Sequence, residues 1–208
     1  MSEPVTVQVF AKAPAPGLAK TRLIPVLGAD GAARLAARML ERTLRAAIAA
    51  ELGPVQLWTT PAVSDPAWRG VALPPLVQPH PQGEGDLGAR MARAASAGLA
   101  EGRPVVLIGT DCVEMSAALL QDAAAALSRC EAVIHPTLDG GYALLGLRRF
   151  DMTLFQDMPW STDRVYSLTL ARLRALHWRV QALTRLHDVD RPEDLERFRQ
   201  AFDSVAWP

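Results

Sequence analysis

Three cationic side chains lie in one short segment near the start of the chain, at Lys12, Lys20 and Arg22. Lys12 and Lys20 are the only two lysines among the 22 basic residues, and positions 4–29 contain no acidic residue. Because arginine serves at the other basic positions, the two lysines suggest a need for a compact point charge. A loop of this kind after a strand can offer ammonium and backbone N–H groups to phosphate. We predict an anion-binding loop; an ordinary basic surface loop is the alternative.

This loop does not match either of two common phosphate-binding motifs. A P-loop requires glycine directly before the lysine and again five residues earlier, where this chain has Ala19 and Pro14. The dinucleotide-binding fingerprint requires three glycines, whereas the loop contains Gly17 alone. The sequence therefore excludes both motifs at this position.

A glycine-rich segment from Gln82 to Met91 precedes and opens a predicted helix. Its three glycines allow close approach of a ligand to the backbone, and Arg90 in the first helical turn can reach that ligand. Asp86 is also a suitable N-cap, so a flexible turn followed by a cap explains the same residues without a binding role. Both interpretations remain open from the sequence.

Two carboxylates stand at positions typical of metal ligands. Asp111 follows the most apolar predicted strand, 105–108, and Ser116 is available to cap the next helix in its place. Carboxylate oxygens suit Mg²⁺, which takes one or two of them together with substrate phosphates. Asp190 precedes the predicted terminal helix, but Glu193 three residues later makes a capping box an equally simple explanation.

No nucleophile motif accompanies these groups. His135 and His187 lack a serine or cysteine in a nucleophile-elbow context, and Cys112 has no local partner that would lower its pKa. We expect both histidines to be structural and both cysteines, Cys112 and Cys130, to be buried thiols. A mechanism that needs no covalent intermediate is therefore favoured.

Composition and charge argue against several classes of protein. The chain has 208 residues with 22 basic and 22 acidic side chains, so a disordered chain or a polyelectrolyte-binding tail is not indicated and nucleic acid is not an expected partner. No apolar run is long enough to span a membrane, and the N-terminus lacks a secretory leader pattern, so we expect a cytoplasmic protein. We expect residues 1–208 to form one domain of unknown oligomeric state.

Short β-branched runs alternate with helical stretches rich in Ala, Leu and Arg, which predicts an α/β three-layer sandwich. The strand at 142–147 follows its neighbour too closely for a parallel crossover, so the sheet should be mixed but mostly parallel. The predicted strands are 5–10, 55–59, 76–78, 105–108, 131–135, 142–147 and 179–183. The predicted helices are 30–52, capped by Asp30, and 86–100, 116–127, 162–177 and 192–202.

Six segments together carry a resemblance to a known family. They are 10–23, Gln82-Gly83 with 87–91, Gly109-Thr110-Asp111-Cys112, Asp139-Gly140-Gly141-Tyr142 with Gly146-Leu147, Trp160-Ser161-Thr162, and Asp188-Val189-Asp190 with the following Pro-Glu-Asp-Leu. The chain resembles the DUF2064 family of glycosyltransferase-A-like bacterial proteins, within the nucleotide-diphospho-sugar transferase superfamily. More distantly it is similar to the molybdenum-cofactor and lactyl-phosphate nucleotidyltransferases. It departs from the family pattern at Val113 and Met115, which stand where the family has Pro and Leu.

The resemblance implies a GT-A-like fold with a Rossmann-like nucleotide-binding half, and Mg²⁺ or Mn²⁺ held by Asp111 and Asp190. It implies Lys20 and Asp111 as catalytic residues. The nucleotide or nucleotide sugar would contact Lys12, Gly17, Lys20, Thr21, Arg22, Gln82, Gly83 and Arg90. A small-molecule acceptor would contact Asp139, Gly140, Gly141, Tyr142, Trp160, Ser161 and Thr162. Nucleotidyl transfer to a phosphorylated or hydroxylated acceptor is the first expectation; glycosyl transfer and non-catalytic nucleotide binding are the alternatives.

Overall fold

The computed structural model describes residues 3–195, which contain a seven-stranded sheet. The strands are β1 (Thr6–Lys12), β2 (Val55–Thr60), β3 (Val77–Pro81), β4 (Val105–Gly109), β5 (Ala132–Pro136), β6 (Tyr142–Leu147) and β7 (Val180–Ala182). Their order in the sheet is β3-β2-β1-β4-β6-β5-β7. Buried β-branched and leucine side chains fill the central strands, which accounts for their position inside the molecule.

The sheet is mixed, as the sequence predicts. Strand β6 runs antiparallel to both β4 and β5, while the other neighbouring pairs are parallel. The reason is the connection at 137–141, which is too short to carry a parallel crossover. Strands β3-β2-β1-β4 form the parallel half of the sheet, so their carboxyl ends lie along one edge.

Helices cover both faces of the sheet, which confirms the three-layer prediction. The helices are α1 (Ile24–Ala49), α2 (Leu87–Ala100), α3 (Ala117–Leu127) and α4 (Val165–Ala175). Alternate residues of β4 face opposite layers. Val106 and Ile108 pack in the cluster that includes side chains of α1 and α3, and Val105 and Leu107 pack in the cluster that includes side chains of α2 and α4. None of the helices within 3–195 combines the length and apolar character needed to cross a membrane.

Two predicted helix caps are present and aim the connecting loops at the carboxyl edge of the sheet. The Asp86 carboxylate accepts a 2.8 Å hydrogen bond from the N–H of Ala89 at the start of α2. The Ser116 hydroxyl accepts a 3.4 Å hydrogen bond from the N–H of Leu119 at the start of α3. Because Ser116 supplies this cap, the carboxylate of Asp111 is left for other contacts.

Some predicted helix limits are wrong. Helix α1 consists of two helical segments, because Gly28 between them is not helical (φ 70°, ψ 167°). The long segment begins directly after Gly28, close to the predicted start at 30, so Asp30 lies in its first turn and does not cap it. This segment ends at Ala49 rather than at 52. Helix α4 begins at Val165 rather than at 162, because 159–164 forms turns in which Ser161 has φ 64°. The terminal helix begins at 192 as predicted, but its predicted continuation over 196–202 lies outside the described residues.

Candidate functional site

An open cleft of about 1060 Å³ lies at the carboxyl edge of the sheet. Its walls come from the loop after β1, the start of α2, the end of β4, the turn between β5 and β6, and segments near 160 and 190. The cleft brings together most of the predicted site residues, namely Lys12, Lys20, Thr21, Arg22, Gln82, Arg90, Asp111, Asp139, Gly141, Tyr142, Trp160, Ser161, Thr162 and Asp190. Gly17, Gly83 and Gly140 do not line it.

The centre of the cleft is an ion cluster around Lys20. Its ammonium nitrogen lies 2.6 Å from Asp111 Oδ1 and 3.0 Å from Asp190 Oδ1, and it donates a 2.6 Å hydrogen bond to the carbonyl of Val189. A lysine ammonium has three N–H donors, so these three acceptors use all of them. The Lys20 side chain is only 6% exposed. Lys20 thus serves as the counter-ion of two carboxylates and presents no free donor to the cleft.

The backbone of Lys20 is strained. It adopts the left-handed conformation (φ 50°, ψ 39°), which is uncommon for a residue with a side chain and costs about 1 to 3 kcal/mol. Its carbonyl accepts a 2.9 Å hydrogen bond from the N–H of Leu23, which closes a 3-10 turn over Thr21–Leu23. Strain of this kind persists where surrounding contacts fix the residue, and here the two carboxylates do so.

The two carboxylates keep exposed oxygens toward the cleft. The Asp111 side chain is 45% exposed and that of Asp190 is 38% exposed, although both contact the buried ammonium. Asp190 Oδ2 also lies 3.5 Å from Nη1 of Arg22, which is well exposed. These oxygens can therefore serve a ligand that enters from the cleft.

The predicted capping box at Asp190 is wrong in its register. The carboxylate that accepts from the helix start belongs to Asp194, whose Oδ2 takes hydrogen bonds from the N–H groups of Asp190 (2.9 Å) and Arg191 (2.8 Å). Since the helix begins at Pro192, its third residue is Asp194 rather than Glu193. The Asp190 side chain is consequently committed to Lys20 and Arg22.

The environment of the cluster shifts the pKa values of Lys20 and Asp188. Burial by itself would lower the pKa of Lys20, but the charges and hydrogen bonds of Asp111 and Asp190 raise it above the ordinary lysine value. Burial, followed by repulsion from Asp111, Asp139 and Asp190, raises the pKa of Asp188 to about 7, although the charge of Lys20 opposes the shift. Lys20 therefore stays protonated, whereas Asp188 changes charge near neutral pH.

A second wall of the cleft is built on Gln82, which is 4% exposed. Its side-chain amide donates to the carbonyls of Ala11 (3.2 Å) and Trp58 (2.9 Å), at the ends of β1 and β2. Its Oε1 accepts from Nη1 of Arg90 (3.4 Å), and Nε of Arg90 also donates to the carbonyl of Gly85 (2.9 Å). Gln82 is thus a buried anchor that places the Arg90 guanidinium on the cleft wall, and its contact with a nucleotide stays a prediction.

The third wall combines a turn with aromatic side chains. Asp139 Oδ1 accepts hydrogen bonds from the Thr137 hydroxyl (2.5 Å) and from the N–H of Gly141 (3.1 Å). This carboxylate oxygen therefore stabilises the turn. The Tyr142 hydroxyl contacts Met91 Sδ at 4.0 Å, and burial raises the pKa of Tyr142. Trp160 packs at the start of α2, where its ring nitrogen lies close to Gly88. This wall offers ring surface and the second oxygen of Asp139.

The three predicted glycines that do not line the cleft stand in turns next to it, each with positive φ. Gly83 is enclosed by Arg93, which donates hydrogen bonds to the carbonyls on either side of it. At Gly140 (φ 88°) an added Cβ would lie 2.1 Å from the carbonyl oxygen of Asp163. Gly17 is in an open turn. Gly83 and Gly140 thus shape the walls by allowing close packing.

The cysteine and histidine side chains near the cleft, among the residues that the structure describes, do not form a nucleophilic centre. Cys112 is buried, and burial together with the charge of Asp188 raises its pKa to about 12. His187 Nδ1 lies 3.0 Å from Glu114 Oε2, and His135 Nδ1 lies 2.6 Å from the carbonyl of Thr184. A thiol with so high a pKa is not a nucleophile at neutral pH.

The carboxylate pair fits a divalent cation. Asp111 and Asp190 already direct one oxygen each at a single cation, the Lys20 ammonium. Within 3–195 no three His, Cys, Asp or Glu side chains are arranged to hold a metal ion by themselves. A two-carboxylate site whose remaining ligands are water and substrate phosphate is the arrangement that Mg²⁺ commonly takes.

Residues 43–162 match the family model described as "Uncharacterized protein conserved in bacteria (DUF2064)". The chain belongs to the DUF2064 family. This DUF2064 protein is also similar over 99% of its length, with 31% identity and a TM-score of 0.88, to a "putative nucleotide-diphospho-sugar transferase" from Desulfovibrio desulfuricans G20, of which it covers 90%. Both the family resemblance and the GT-A-like fold are therefore confirmed. No functionally curated protein matches the sequence.

Two more distant structures share the fold of this DUF2064 protein. One is 4-diphosphocytidyl-2C-methyl-D-erythritol synthase from Anaerococcus prevotii DSM 20548, with 12% identity, a TM-score of 0.64, and coverage of 97% of this chain and 96% of that one. The other is the manganese complex of Rv0371c from Mycobacterium tuberculosis H37Rv, with 19% identity, a TM-score of 0.53, and coverage of 95% and 99%. At these identities the likeness concerns the fold alone.

The sequence did not single out Asp188 as a site residue, although it lies between the predicted ligands in the cleft. Its high pKa arises from burial and from three carboxylates, two of them distant in sequence, which no local pattern reveals. The one available signal is the Asp-Val-Asp spacing, which places both carboxyl groups on the same side of an extended segment.

Proposed function

We propose that this DUF2064 protein is a divalent-metal-dependent nucleotidyltransferase. It would transfer the nucleotidyl group of a nucleoside triphosphate to a small phosphorylated or hydroxylated acceptor and release pyrophosphate. The observation that carries the proposal is the convergence of Asp111 and Asp190 on one cation at the carboxyl edge of the sheet, beside the cationic loop after β1. In open α/β sheets this edge is where ligands bind.

Each wall of the cleft has a role in this proposal. Asp111 and Asp190 hold Mg²⁺ or Mn²⁺, which when bound neutralises charge on the phosphates and polarises them. Lys12 and Arg22, whose side chains are exposed in the cleft, bind phosphate oxygens from one side, and Arg90 binds from the other. The triphosphate is thereby surrounded by positive charge along its length.

The chemistry requires no covalent intermediate with the protein. The acceptor oxygen forms a bond to the α-phosphorus, the bond from that phosphorus to the bridging oxygen breaks, and pyrophosphate leaves with the electron pair. A hydroxyl acceptor releases its proton to solvent, whereas a phosphate acceptor attacks through an oxygen that carries none. Positioning and charge neutralisation are the main contributions of the protein to such a transfer. The absence of an activated nucleophile among the cleft residues of 3–195 agrees with this type of reaction.

The relatives support a nucleotide-using transferase. The similar protein from Desulfovibrio desulfuricans G20 carries the name of a nucleotide-diphospho-sugar transferase, and the Anaerococcus prevotii protein is a diphosphocytidyl-compound synthase. The Mycobacterium tuberculosis protein was crystallised with manganese. These names favour a nucleotide donor and a divalent ion for the present chain.

A binding screen followed by a product assay tests the proposal. The melting temperature is measured with each of the four common nucleoside triphosphates, with and without Mg²⁺ or Mn²⁺, since a ligand that binds the folded state raises it. The triphosphate that binds is then incubated with pools of sugar phosphates and polyols, and pyrophosphate is assayed. Metal-dependent stabilisation and pyrophosphate release are expected. Absence of metal-dependent binding by every nucleotide would contradict the proposal.

Glycosyl transfer from a nucleotide sugar is the second candidate. It is favoured by the aromatic and acidic wall formed by Tyr142, Trp160 and Asp139, because aromatic rings and carboxylates are suitable surfaces for a sugar. The released product separates the candidates: a nucleoside diphosphate indicates glycosyl transfer, and pyrophosphate indicates nucleotidyl transfer. A protein that binds nucleotide but releases neither over hours is a non-catalytic binder.

A further inference from the structure

We propose that Lys20 is a tethered cation that occupies the metal position between Asp111 and Asp190 until a divalent ion displaces it. This inference rests on the metal site of the proposed function and adds a regulatory step to it. The ammonium of Lys20 and the ion would compete for the same two carboxylates. Loading of the ion would then release Lys20 to the substrate phosphates.

The contacts of Lys20 place it at the position of the ion. Its nitrogen contacts one oxygen of each carboxylate, at 2.6 Å and 3.0 Å, and the carbonyl of Val189 at 2.6 Å. Three oxygens from two distant segments thus surround one positive centre. A bound Mg²⁺ would draw on these carboxylate oxygens at about 2.1 Å. An ion that binds these same two oxygens takes the place of the ammonium.

The exposure of the two carboxylates gives an ion a route to them. The two carboxylates are 45% and 38% exposed, whereas the lysine side chain between them is 6% exposed. An ion can therefore approach the carboxylates from the cleft without unfolding the site. Arg22 contacts Asp190 at the longer distance of 3.5 Å and is itself 60% exposed, so it can move aside into solvent.

The displaced ammonium can bind the nucleotide in the same cleft. Lys20 is in the loop that also carries Lys12 and Arg22, and all three residues line the cleft. Once its three acceptors are lost, its donors can bind phosphate oxygens of the nucleotide. Metal and nucleotide would then bind with positive cooperativity, because the ion frees a phosphate ligand that is otherwise paired. An apo protein would keep its cluster of carboxylates neutralised.

The unmodified protein supplies the first test. Because Lys12 and Lys20 are its only lysines, partial acylation by an amine reagent followed by peptide mass spectrometry reports both rates in one sample. Without metal, exposed Lys12 should react and buried Lys20 should react slowly. Saturating Mn²⁺ without nucleotide should accelerate Lys20 about tenfold relative to Lys12, which serves as the internal reference.

Mn²⁺ binding is followed independently by the electron paramagnetic resonance signal of the free ion. A failure of the displacement can therefore be distinguished from a failure of the metal site. If Mn²⁺ binds and the rate at Lys20 does not change, the displacement is wrong while the metal site stands. If Mn²⁺ does not bind up to millimolar concentrations, the metal site of the proposed function is wrong and this inference with it.

A matched pair of variants gives a second test. Lys20→Gln removes the competing charge, and Lys12→Gln removes the same charge from the same cleft without touching the carboxylates. Titration of Mn²⁺ without nucleotide should show about tenfold tighter binding for Lys20→Gln and little change for Lys12→Gln. Unchanged or weaker binding by a folded Lys20→Gln protein would overturn the proposal. Should that variant not fold, the acylation of the parent protein decides.

Discussion

The backbone N–H of Val189 donates a 2.9 Å hydrogen bond to the carbonyl oxygen of Asp111. This bond joins the loop after β4 to the segment that precedes the terminal helix. The carbonyl of Val189 in turn accepts a 2.6 Å hydrogen bond from Lys20. The main chain therefore holds the carboxylates of Asp111 and Asp190 next to each other, and a change in either side chain leaves this connection intact.

Asp111→Asn should remove the metal-dependent part of nucleotide binding and leave the metal-free part in place. Asparagine keeps the shape and can still accept a hydrogen bond from Lys20, but it has no negative charge for a divalent ion. Titration calorimetry with and without Mg²⁺ should show at least about a tenfold loss of metal-dependent affinity. The melting temperature should also fall, because Asp111 is an ion-pair partner of the buried Lys20.

Asp190→Asn should have the same effect on metal dependence. The helix start keeps its cap from Asp194, but the melting temperature should fall because the buried Lys20 loses an ion-pair partner. Full metal-dependent nucleotide binding in the Asp111→Asn, Asp190→Asn double variant would contradict the carboxylate assignment. The search for ligands would then turn to Asp139 and Asp188.

Asp188→Asn should stabilise the protein more at pH 8 than at pH 5. The pKa of this carboxyl is about 7 in the folded state, above its value near 4 in an unfolded chain. The folded state therefore binds the proton more tightly, so the free energy of unfolding falls as the pH rises from about 4 to about 7. A pKa difference of one between the two states corresponds to about 1.4 kcal/mol, and partial solvent access reduces the total effect to about 2 kcal/mol at pH 8.

Urea unfolding in metal-free buffer across this pH range measures the effect of Asp188→Asn. The chelated condition matters because an ion bound nearby would itself favour the charged carboxylate. An equal change in unfolding free energy at pH 5 and pH 8 would show that the Asp188 carboxyl is not perturbed in the folded protein.

Gly140→Ala should destabilise the protein by more than Gly102→Ala. Both glycines have positive φ, 88° and 77°, so both changes carry the backbone strain of that region. A Cβ at Gly140 would lie 2.1 Å from the carbonyl oxygen of Asp163, whereas nothing lies within 4 Å of one at Gly102. We expect a difference of about 1 to 3 kcal/mol in urea unfolding. Similar losses for the two variants would mean that the two turns do not pack as closely as described.

Gln82→Ala should lower the free energy of unfolding by about 1 to 3 kcal/mol, because the buried carbonyls of Ala11 and Trp58 lose their side-chain donor. Gln78→Ala, an exposed glutamine of β3, is the matched control and should cost less than about 0.5 kcal/mol. Both are measured by urea unfolding. Equal effects would indicate that the Gln82 amide is not part of the sheet edge.

Local patterns in the sequence were sufficient for the layered α/β fold. The antiparallel direction of β6 follows from the short link at 137–141, and the caps at Asp86 and Ser116 follow from residues adjacent to their helices. The same patterns place Asp111 and the cationic loop at the carboxyl edge of the sheet. These features depend on interactions between residues close in sequence, which periodicity and capping rules describe.

Only the tertiary structure determined which charged side chains contact each other. Lys20 contacts Asp190 across 170 positions of the chain, so no spacing rule relates them. The sequence therefore predicted Lys20 as a free phosphate ligand, whereas the fold buries its ammonium between two carboxylates. The high pKa of Asp188 likewise depends on burial and on distant carboxylates. Coulomb energy and desolvation depend on distances in space, and only the folded chain sets those distances.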